Sequence, residues 1–195
     1  EVPPAVGRQG GHGVFPRRRH GRRHDRGHEP APAHRAAVAR VGAGGGRGVG
    51  RGITEAFLDA GADVVICGRN EPESLPSAAG RSAAFVSADI REIEQIQAVI
   101  EFATNRFGRI DALVNNAGAI YWSPVADHSI KRFDLVMGVN VRGAFLASHY
   151  AMPHLRKNGG HVINMSPPIC VDAGAGKAPY LVSKFGMTLL AQAID

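Results

Sequence analysis

The sequence predicts an α/β fold with a doubly wound parallel sheet, in a three-layer α/β/α arrangement. From residue 38 onward, short runs rich in β-branched residues alternate with longer amphipathic runs, as in strand–helix–strand units. The short runs are mainly apolar, which indicates strands that helices cover on both faces. A domain of this length buries roughly 70% of its unfolded surface, so the chain can form a sizeable core.

The predicted strands and helices alternate along the chain. Strands are predicted at 39–42, 63–67, 83–87, 112–115 and 161–165, and helices at 50–60, 90–107, 130–156 and 180–193. The first strand departs from the pattern, because it carries Arg40 where a central buried strand ordinarily has an apolar side chain.

The net charge of +6 comes entirely from the N-terminal end of the chain. Residues 1–43 hold nine arginines and three acidic residues, together with five of the nine histidines and almost no large apolar residue. A segment of this composition cannot bury enough apolar surface to form a core. We therefore predict a disordered basic leader, rich in Arg, His, Gly and Pro, over residues 1–42, and a folded domain over residues 43–195.

Other interpretations of this leader are less favoured by its sequence. An arm that binds nucleic acid or a membrane surface is typically interleaved with aromatic residues or helically periodic, and here Phe15 is the one aromatic residue. A metal site needs ligand spacing, and the leader's histidines match no single ligand template. No apolar segment of a secretory signal follows the arginines. The regular pattern begins abruptly near Val41, as it would after a leader translated in a wrong frame.

The cysteine content and the hydropathy exclude two further classes of protein. Cys67 and Cys170 form neither a disulfide framework nor a zinc pattern, so we expect a reducing compartment, the cytoplasm, and no metal site. The sequence holds no run of about 18 uncharged apolar residues, so it predicts no membrane span.

A glycine-rich segment lies between the first predicted strand and the first predicted helix. Glycines at this place let the backbone turn tightly and approach a diphosphate, whose charge the helix N-terminus stabilises. A register that begins at Gly42 also fits, but the register that begins at Gly44 places Ile53 and Phe57 on the helix face toward the sheet. The predicted cofactor-binding residues of this segment are Gly44, Arg47, Gly48, Val49 and Gly50.

The end of the second predicted strand indicates which dinucleotide is bound. A carboxylate at this position accepts the ribose 2′-hydroxyl of NAD, whereas an arginine accommodates the 2′-phosphate of NADP. Here Gly68 and Arg69 occupy the strand tip, and Arg47 supplies a second cation from the glycine-rich segment. This pattern predicts a preference for NADP, with NAD as the second choice; the alternative is that both arginines are solvated surface residues.

A tyrosine and a lysine supply candidate acid–base chemistry near the C-terminal end. Tyr180 and Lys184 are four residues apart, so they share one face of a helix. A phenol has a pKa of about 10, and a nearby ammonium favours its anion and makes it a usable acid–base group. The tyrosine can then pass a proton to a carbonyl oxygen while the nicotinamide delivers hydride. Taken singly, each residue would more often serve in packing or as a solvated surface group.

Five motifs follow one another along the chain: the glycine-rich segment, Ala88-Asp89-Ile90, Asn115-Asn116-Ala117-Gly118, Asn140, and Tyr180 with Lys184. Their order over residues 43–195 resembles the short-chain dehydrogenases/reductases, a Rossmann-type family. The run Met165-Ser166-Pro167-Pro168 resembles a subgroup, the hydroxysteroid-dehydrogenase-like proteins. Ala43 stands where the family has a threonine before the glycines.

The resemblance implies roles for several residues and a sheet of strand order 3-2-1-4-5. Lys184 is implied to hydrogen-bond the nicotinamide ribose, and Asn140 to order a water that links Lys184 to solvent. The implied adenine contact is at Asp89, and the neighbouring Ile90 is a further implied cofactor-binding residue. The residues implied to hold the central strand and flank the nucleotide are Asn115, Asn116, Ala117 and Gly118. The two long helices are implied to pair with those of a second copy, which makes a homo-oligomer.

In the family, a serine hydroxyl polarises the substrate carbonyl, and this chain leaves two possibilities for that role. The family's serine lies thirteen residues before the tyrosine, where this chain has Pro167, which offers no donor, and Ser166 lies fourteen before it. Either Ser166 takes the role, or Tyr180 acts without that donor and the site loses roughly 3 kcal/mol of transition-state stabilisation. We predict that Ser166 joins Tyr180, Lys184 and Asn140 as a catalytic residue.

The sequence therefore predicts an oxidoreductase that prefers NADP and transfers hydride between nicotinamide and a secondary alcohol or ketone. The resemblance also implies further strands and a substrate-covering loop after residue 195, so we expect an incomplete domain. The alternative function is that of a catalytically incompetent fragment that acts at most as a nucleotide-binding or interaction module. The expected partners are a small alcohol or carbonyl substrate and a second copy of the chain, and not nucleic acid.

Overall fold

The computed structural model describes residues 37–39, 45–166 and 176–194. Most of the predicted leader, Gly44 and Pro167 lie outside these described residues. The strands are β1 (Ala37–Ala39), β2 (Asp63–Gly68), β3 (Ser77–Ala78), β4 (Arg81–Ser82), β5 (Ala84–Ser87), β6 (Ala112–Asn115) and β7 (His161–Asn164). The helices are α1 (Gly48–Asp59), α2 (Ile93–Phe107), α3 (Ile130–Met137), α4 (Gly143–Asn158) and α5 (Ala178–Ala193).

Five parallel strands form the main sheet in the order β5-β2-β1-β6-β7. Counted along the chain, this is the order 3-2-1-4-5, and it confirms the predicted doubly wound parallel sheet. The order reverses between β1 and β6, and the crevice at the carboxyl ends of these two strands is the usual ligand site in such sheets.

Apolar clusters cover both faces of the sheet at β2 and β6, which explains why these two strands read as nearly continuous apolar runs. Val65 and Cys67 of β2 belong to a cluster with α2 and α4, whereas their neighbours Val64 and Ile66 belong to a second cluster with Leu58 of α1. Because successive strand residues point to opposite faces, both faces are buried only if every residue is apolar.

The first strand lies earlier in the chain than predicted. The prediction was 39–42, and the described strand is Ala37–Ala39, with Val38 level with Val64 of β2 and with Ala112 of β6. The three apolar residues before Arg40 thus occupy the centre of the sheet. Residues 40–44 lie outside the described part of the chain.

The helix predicted from residue 90 begins at Ile93, because the chain first makes a turn around Asp89. The backbone N–H of Arg91 donates to the Asp89 carboxylate at 3.0 Å, and that of Glu92 donates to the Asp89 carbonyl oxygen at 3.0 Å. An aspartate that accepts the N–H two residues on competes in this way with helix formation.

Two further features differ from the prediction. The helix predicted at 130–156 is divided into α3 and α4 by one π-helical turn, Gly138–Arg142. The short strands β3 and β4, which were not predicted, form an antiparallel hairpin across Ala79 and Gly80, both of which have positive φ. None of the described helices is long and apolar enough to cross a membrane.

Candidate functional site

The glycine-rich segment passes close to β2 before α1 begins. A Cβ atom at Gly45 would lie 2.7 Å from the Cβ of Ile66, and one at Gly46 would lie 2.6 Å from the Cβ of Pro72. Gly48, the first residue of α1, has a φ of +54°, which L side chains rarely adopt. These positions therefore favour glycine, and Gly45, Gly46 and Arg47, directly before α1, line a cavity.

This cavity, of about 190 Å³, lies between the glycine-rich segment and the tip of β2. Arg47 and Arg69 both line it, so the structure brings together the two cations that the sequence singled out. Asn70 and Glu71 also line the cavity. Sequence reasoning passed over both, although they directly follow Arg69 at the same strand tip.

Arg51, a third arginine near the cavity, has protein partners. Its guanidinium donates to Glu55 at 2.7 Å and to the carbonyl oxygen of Ser74 at 3.0 Å. This distinguishes it from Arg47 and Arg69, which are exposed at the cavity.

Asp89 follows β5, and its carboxylate is bound by the next arginine along the chain. The guanidinium of Arg91 donates to it through Nη2 at 2.6 Å and Nε at 3.0 Å. This hydrogen bonding lowers the pKa of Asp89 below its ordinary value and raises the pKa of Arg91. The neighbouring Ile90 is buried against Gly143, where a Cβ would lie 2.6 Å from its Cδ1. The adenine contact at Asp89 and the cofactor contact at Ile90 remain predictions.

The segment after β6 carries the next predicted residues into the crevice. Asn115 anchors the strand end, because its side-chain amide donates to Asn164 at 2.8 Å and to Ser148 at 3.1 Å. Ala117 is buried in the core, whereas Gly118 is exposed. A Cβ at Gly118 would lie 3.9 Å from both Asn140 Oδ1 and Lys184 Nζ, so this glycine borders two of the predicted catalytic side chains. Asn116, also predicted to flank the nucleotide, is partly buried.

Asn140 is buried in the π-helical turn and connects two other segments. Its Oδ1 accepts from the backbone N–H of Ala119 at 2.7 Å, and its Nδ2 donates to the Ala119 carbonyl oxygen at 3.0 Å. Nδ2 also donates to Ser183 Oγ at 2.8 Å, and Ser183 in turn donates to the carbonyl oxygen of Tyr180. Asn140 therefore joins the segment after β6 to α5, and its water-ordering role stays a prediction.

Tyr180 and Lys184 lie together on α5, as their spacing predicts. Lys184 Nζ lies 6.0 Å from the centroid of the Tyr180 ring and donates to the carbonyl oxygen of Met165 at 2.7 Å. The lysine is 7% exposed, and this burial lowers the pKa of its ammonium below 10.5. The ring of Tyr180 meets that of Trp122 edge to face, with centroids 5.5 Å apart.

Ser166 lies at the end of β7, and its hydroxyl is bonded to α5. It donates to the carbonyl oxygen of Lys184 at 3.1 Å and accepts from Thr188 Oγ1 at 3.1 Å. Sequence reasoning did not find Thr188, because nothing in a linear pattern places it beside Ser166. For Ser166 to polarise a substrate, its hydroxyl hydrogen must leave the Lys184 carbonyl oxygen.

The structure thus brings most of the predicted residues to one edge of the sheet. The glycine-rich segment follows β1, the Gly118 segment follows β6, and Tyr180 with Lys184 borders the second of these. A phenol beside a buried ammonium can exchange a proton with a bound oxygen. Among the described residues, no cluster of His, Cys, Asp or Glu could hold a metal ion.

Comparison with known proteins gives matches over most of the chain. Residues 39–195 match a family model described as short chain dehydrogenase. Hydroxysteroid dehydrogenase-like protein 2 of Xenopus laevis is 40% identical over 117 residues, which are 58% of this chain and 28% of that protein. The protein of the same name from Homo sapiens is 38% identical over 120 residues, 60% of this chain and 28% of that one.

Both proteins are much longer than the matched segment, so the chain spans less than a third of the length of these curated relatives. Among solved structures, the ligand-free aldohexose dehydrogenase of Thermoplasma acidophilum matches 82% of this chain and 60% of its own, with a TM-score of 0.71 and 24% identity. This likeness supports the fold.

Proposed function

Because the chain belongs to the short-chain dehydrogenase family, we propose that it is an oxidoreductase that prefers NADP and transfers hydride between nicotinamide and a secondary alcohol or ketone. The observation that carries this proposal is the position of Tyr180 and Lys184 on α5, next to Gly118 and the crevice. The proposal assigns this activity to the domain predicted over residues 43–195, together with β1 (Ala37–Ala39), which lies at the centre of its sheet.

The residues around the crevice fit a dinucleotide. The glycine-rich segment has no room for side chains at Gly45 and Gly46, and it leads into the N-terminus of α1, where backbone N–H groups stabilise a diphosphate. Gly118 leaves open space beside Lys184, which suits a ribose hydroxyl next to the ammonium. The remaining residues proposed to contact the cofactor are Gly44, Arg47, Gly48, Val49, Gly50, Arg69, Asp89, Ile90, Asn116, Ala117 and Tyr180.

Each polar residue of the site has a proposed part in the reaction. A bound nicotinamide supplies or accepts the hydride. In the reductive direction Tyr180 donates its hydroxyl proton to the carbonyl oxygen, and the Lys184 ammonium favours the phenolate that remains. Ser166 donates to the same oxygen once its hydrogen has left the Lys184 carbonyl oxygen. Asn140 holds the segment at Ala119 in place and orders a water that links Lys184 to solvent.

The preference for NADP rests on the two arginines of the cavity at the β2 tip. Arg47 and Arg69 line one cavity, are exposed, and can both donate to a 2′-phosphate. Glu71 lines the same cavity and could accept the 2′-hydroxyl of NAD, which is why NAD is the second cofactor to test.

The proposed assembly is a homo-oligomer that pairs through α4 and α5. Val182, Phe185 and Leu189 are spaced along one face of α5, and each is more than half exposed. Phe145 of α4, also exposed, borders a cavity of about 680 Å³ together with Leu189. A second copy would cover this apolar surface.

Cofactor binding and turnover are tested together with the full chain. We expect NADPH to raise the melting temperature more than NADH, and an Arg47→Ala/Arg69→Ala variant to bind NADPH at least about tenfold more weakly while NADH binding changes little. The matched control is Arg106→Ala, which removes an arginine of α2. Equal shifts with the two cofactors would refute the NADP preference.

Reduction of a panel of ketones is then followed by NADPH oxidation. We expect Tyr180→Phe to lower kcat at least about a hundredfold, because phenylalanine cannot donate a proton, while NADPH still raises the melting temperature. Cofactor binding without turnover in the unmodified chain would instead support the nucleotide-binding module. A chain that neither turns over nor responds to either cofactor would refute both functions.

A further inference from the structure

The segment from Ala119 to Ser123 runs past the proposed catalytic tyrosine and is fastened at both ends. Both backbone polar groups of Ala119 are hydrogen-bonded to the Asn140 side chain. The backbone N–H of Ser123 donates to the carbonyl oxygen of Gly176 at 3.0 Å, just before α5. Because both ends are bonded to elements of the domain, the residues between them are held in a defined place.

The three residues between these ends present large apolar side chains to solvent. Ile120 is 54% exposed, Tyr121 37% and Trp122 52%. Tyr121 is braced by the guanidinium of Arg132, 5.2 Å from its ring centroid, and by the ring of His128 at 5.3 Å. Contiguous exposed apolar side chains on a fixed segment are typical of a ligand-binding groove or an interaction site.

Trp122 is the member of this group that borders the reactive centre. Its ring lies 5.5 Å from that of Tyr180, at an interplanar angle of 70°. Lys177 Nζ lies 5.8 Å from the indole centroid, which further fixes the ring. Even with these two neighbours, about half of the Trp122 side chain remains exposed beside the group that would hold the substrate oxygen.

On the basis of the proposed function, we infer that Trp122 forms an apolar wall of the substrate cleft and selects carbonyl substrates that carry an apolar ring or a long apolar chain within a few bonds of the reacting carbon. The carbonyl oxygen of such a substrate meets Tyr180, and its apolar body packs on the exposed indole. A short ketone leaves the indole face exposed to water, so it gains less binding free energy. Trp122 is therefore a specificity-determining residue.

Two methyl ketones that differ by a terminal phenyl group test this inference. Butanone and benzylacetone present the same reacting group, so the ratio of their kcat/KM values measures what the apolar body contributes. We expect Trp122→Ala to lower kcat/KM for benzylacetone at least about tenfold, mainly through KM, and to change that for butanone little. Trp122→Phe should retain most of the preference, and Phe133→Ala, which removes a partly exposed aromatic residue of α3, should retain all of it.

The same variants distinguish a role of Trp122 in substrate selection from a purely structural role. If Trp122 only supported the fold, Trp122→Ala would lower kcat/KM for both ketones by the same factor. The ratio of the two kcat/KM values would then stay unchanged, and that result would overturn the inference. The turnover of Tyr180→Phe tests the proposed function, whereas the ratio of the two kcat/KM values in the unmodified chain and in Trp122→Ala tests the role of Trp122. Either proposal can therefore fail without the other.

Fluorescence tests the wall even if the chain turns over neither ketone. Trp122 is the single tryptophan of the chain, so all tryptophan emission reports on this site. With NADPH present, benzylacetone should quench the emission saturably and butanone should quench it only weakly. Unsaturable quenching of equal strength by both ketones would overturn the wall, whereas saturable quenching without turnover would refute the proposed function alone.

Discussion

Lys184 combines two properties at the residue scale, a buried ammonium and a place beside Tyr180. Its Nζ donates to the Met165 carbonyl oxygen, and its own backbone carbonyl oxygen accepts from Ser166. Burial disfavours the charged form, which lowers the pKa of the lysine. The lysine is thus held in a position that costs stability, as is common for groups that serve a site rather than the fold.

This cost predicts a pH-dependent effect of Lys184→Met. The unfolded chain titrates this lysine near 10.5, whereas the folded chain releases the proton at a lower pH. Between the two values the unfolded state holds one more proton, so the free energy of unfolding rises with pH. We therefore expect the unfolding free energy of the unmodified chain, minus that of Lys184→Met, to increase from neutral pH toward 10.5, as measured by urea denaturation. A difference that is flat or falls with pH would contradict the burial of the ammonium.

The sequence could predict some contacts of these residues and not others. A spacing of four residues is enough to place Tyr180 and Lys184 on one helix face. The hydrogen bond from Ser166 to α5 joins residues 18 apart in sequence, across the end of β7. It depends on how that helix packs, which a local pattern does not contain.

At the scale of elements, the π-helical turn Gly138–Arg142 separates α3 from α4 and carries Asn140. Single π-helical turns within α-helices occur frequently at functional sites. Here the turn places a buried amide against the segment that leads to Trp122 and against Ser183 of α5. One side chain therefore couples three parts of the proposed site.

Removal of this amide should destabilise the domain. Asn140→Ala leaves both backbone groups of Ala119 and the hydroxyl of Ser183 without their Asn140 partner, and unpaired polar groups of this kind cost about 1–3 kcal/mol. We expect a loss of about 2 kcal/mol in the free energy of unfolding, measured by urea denaturation. Gln97→Ala, an exposed amide of α2, is the control and should change it by less than about 0.5 kcal/mol. A loss no larger than that of the control would show that Asn140 does not hold this segment.

Periodicity explains which elements could be predicted from the sequence. The apolar runs of β2 and β6 predict buried strands because both faces are covered. The predicted start of α2 was wrong because the side chain of Asp89 accepts the backbone N–H of Arg91. The π-helical turn was missed because the backbone keeps right-handed helical angles at Met137, Gly138 and Gly143, so no break in the sequence marks it. Hairpin strands of two residues are too short to have a period at all.

At the scale of the whole molecule, α4 and α5 leave an apolar surface exposed. Phe185 and Leu189 of α5 and Phe145 of α4 are each more than half exposed. A stable interface buries about 800 Å² on each partner, and aromatic and aliphatic residues are concentrated at its centre. These two helices offer such a centre, so the proposed pairing would stabilise the domain as well as shield its surface.

The pairing predicts a dimer or a higher oligomer in sedimentation velocity, and a monomer when Phe185→Glu and Leu189→Glu are combined. Two carboxylates buried at an interface without partners would cost far more than they do on an exposed surface. In the monomer both positions face solvent, so the circular dichroism of the variant should stay that of the unmodified chain. Ile130→Glu, at an exposed position of α3, is the control and should leave the oligomer intact. If the unmodified chain sediments as a monomer, the proposed pairing through α4 and α5 is wrong.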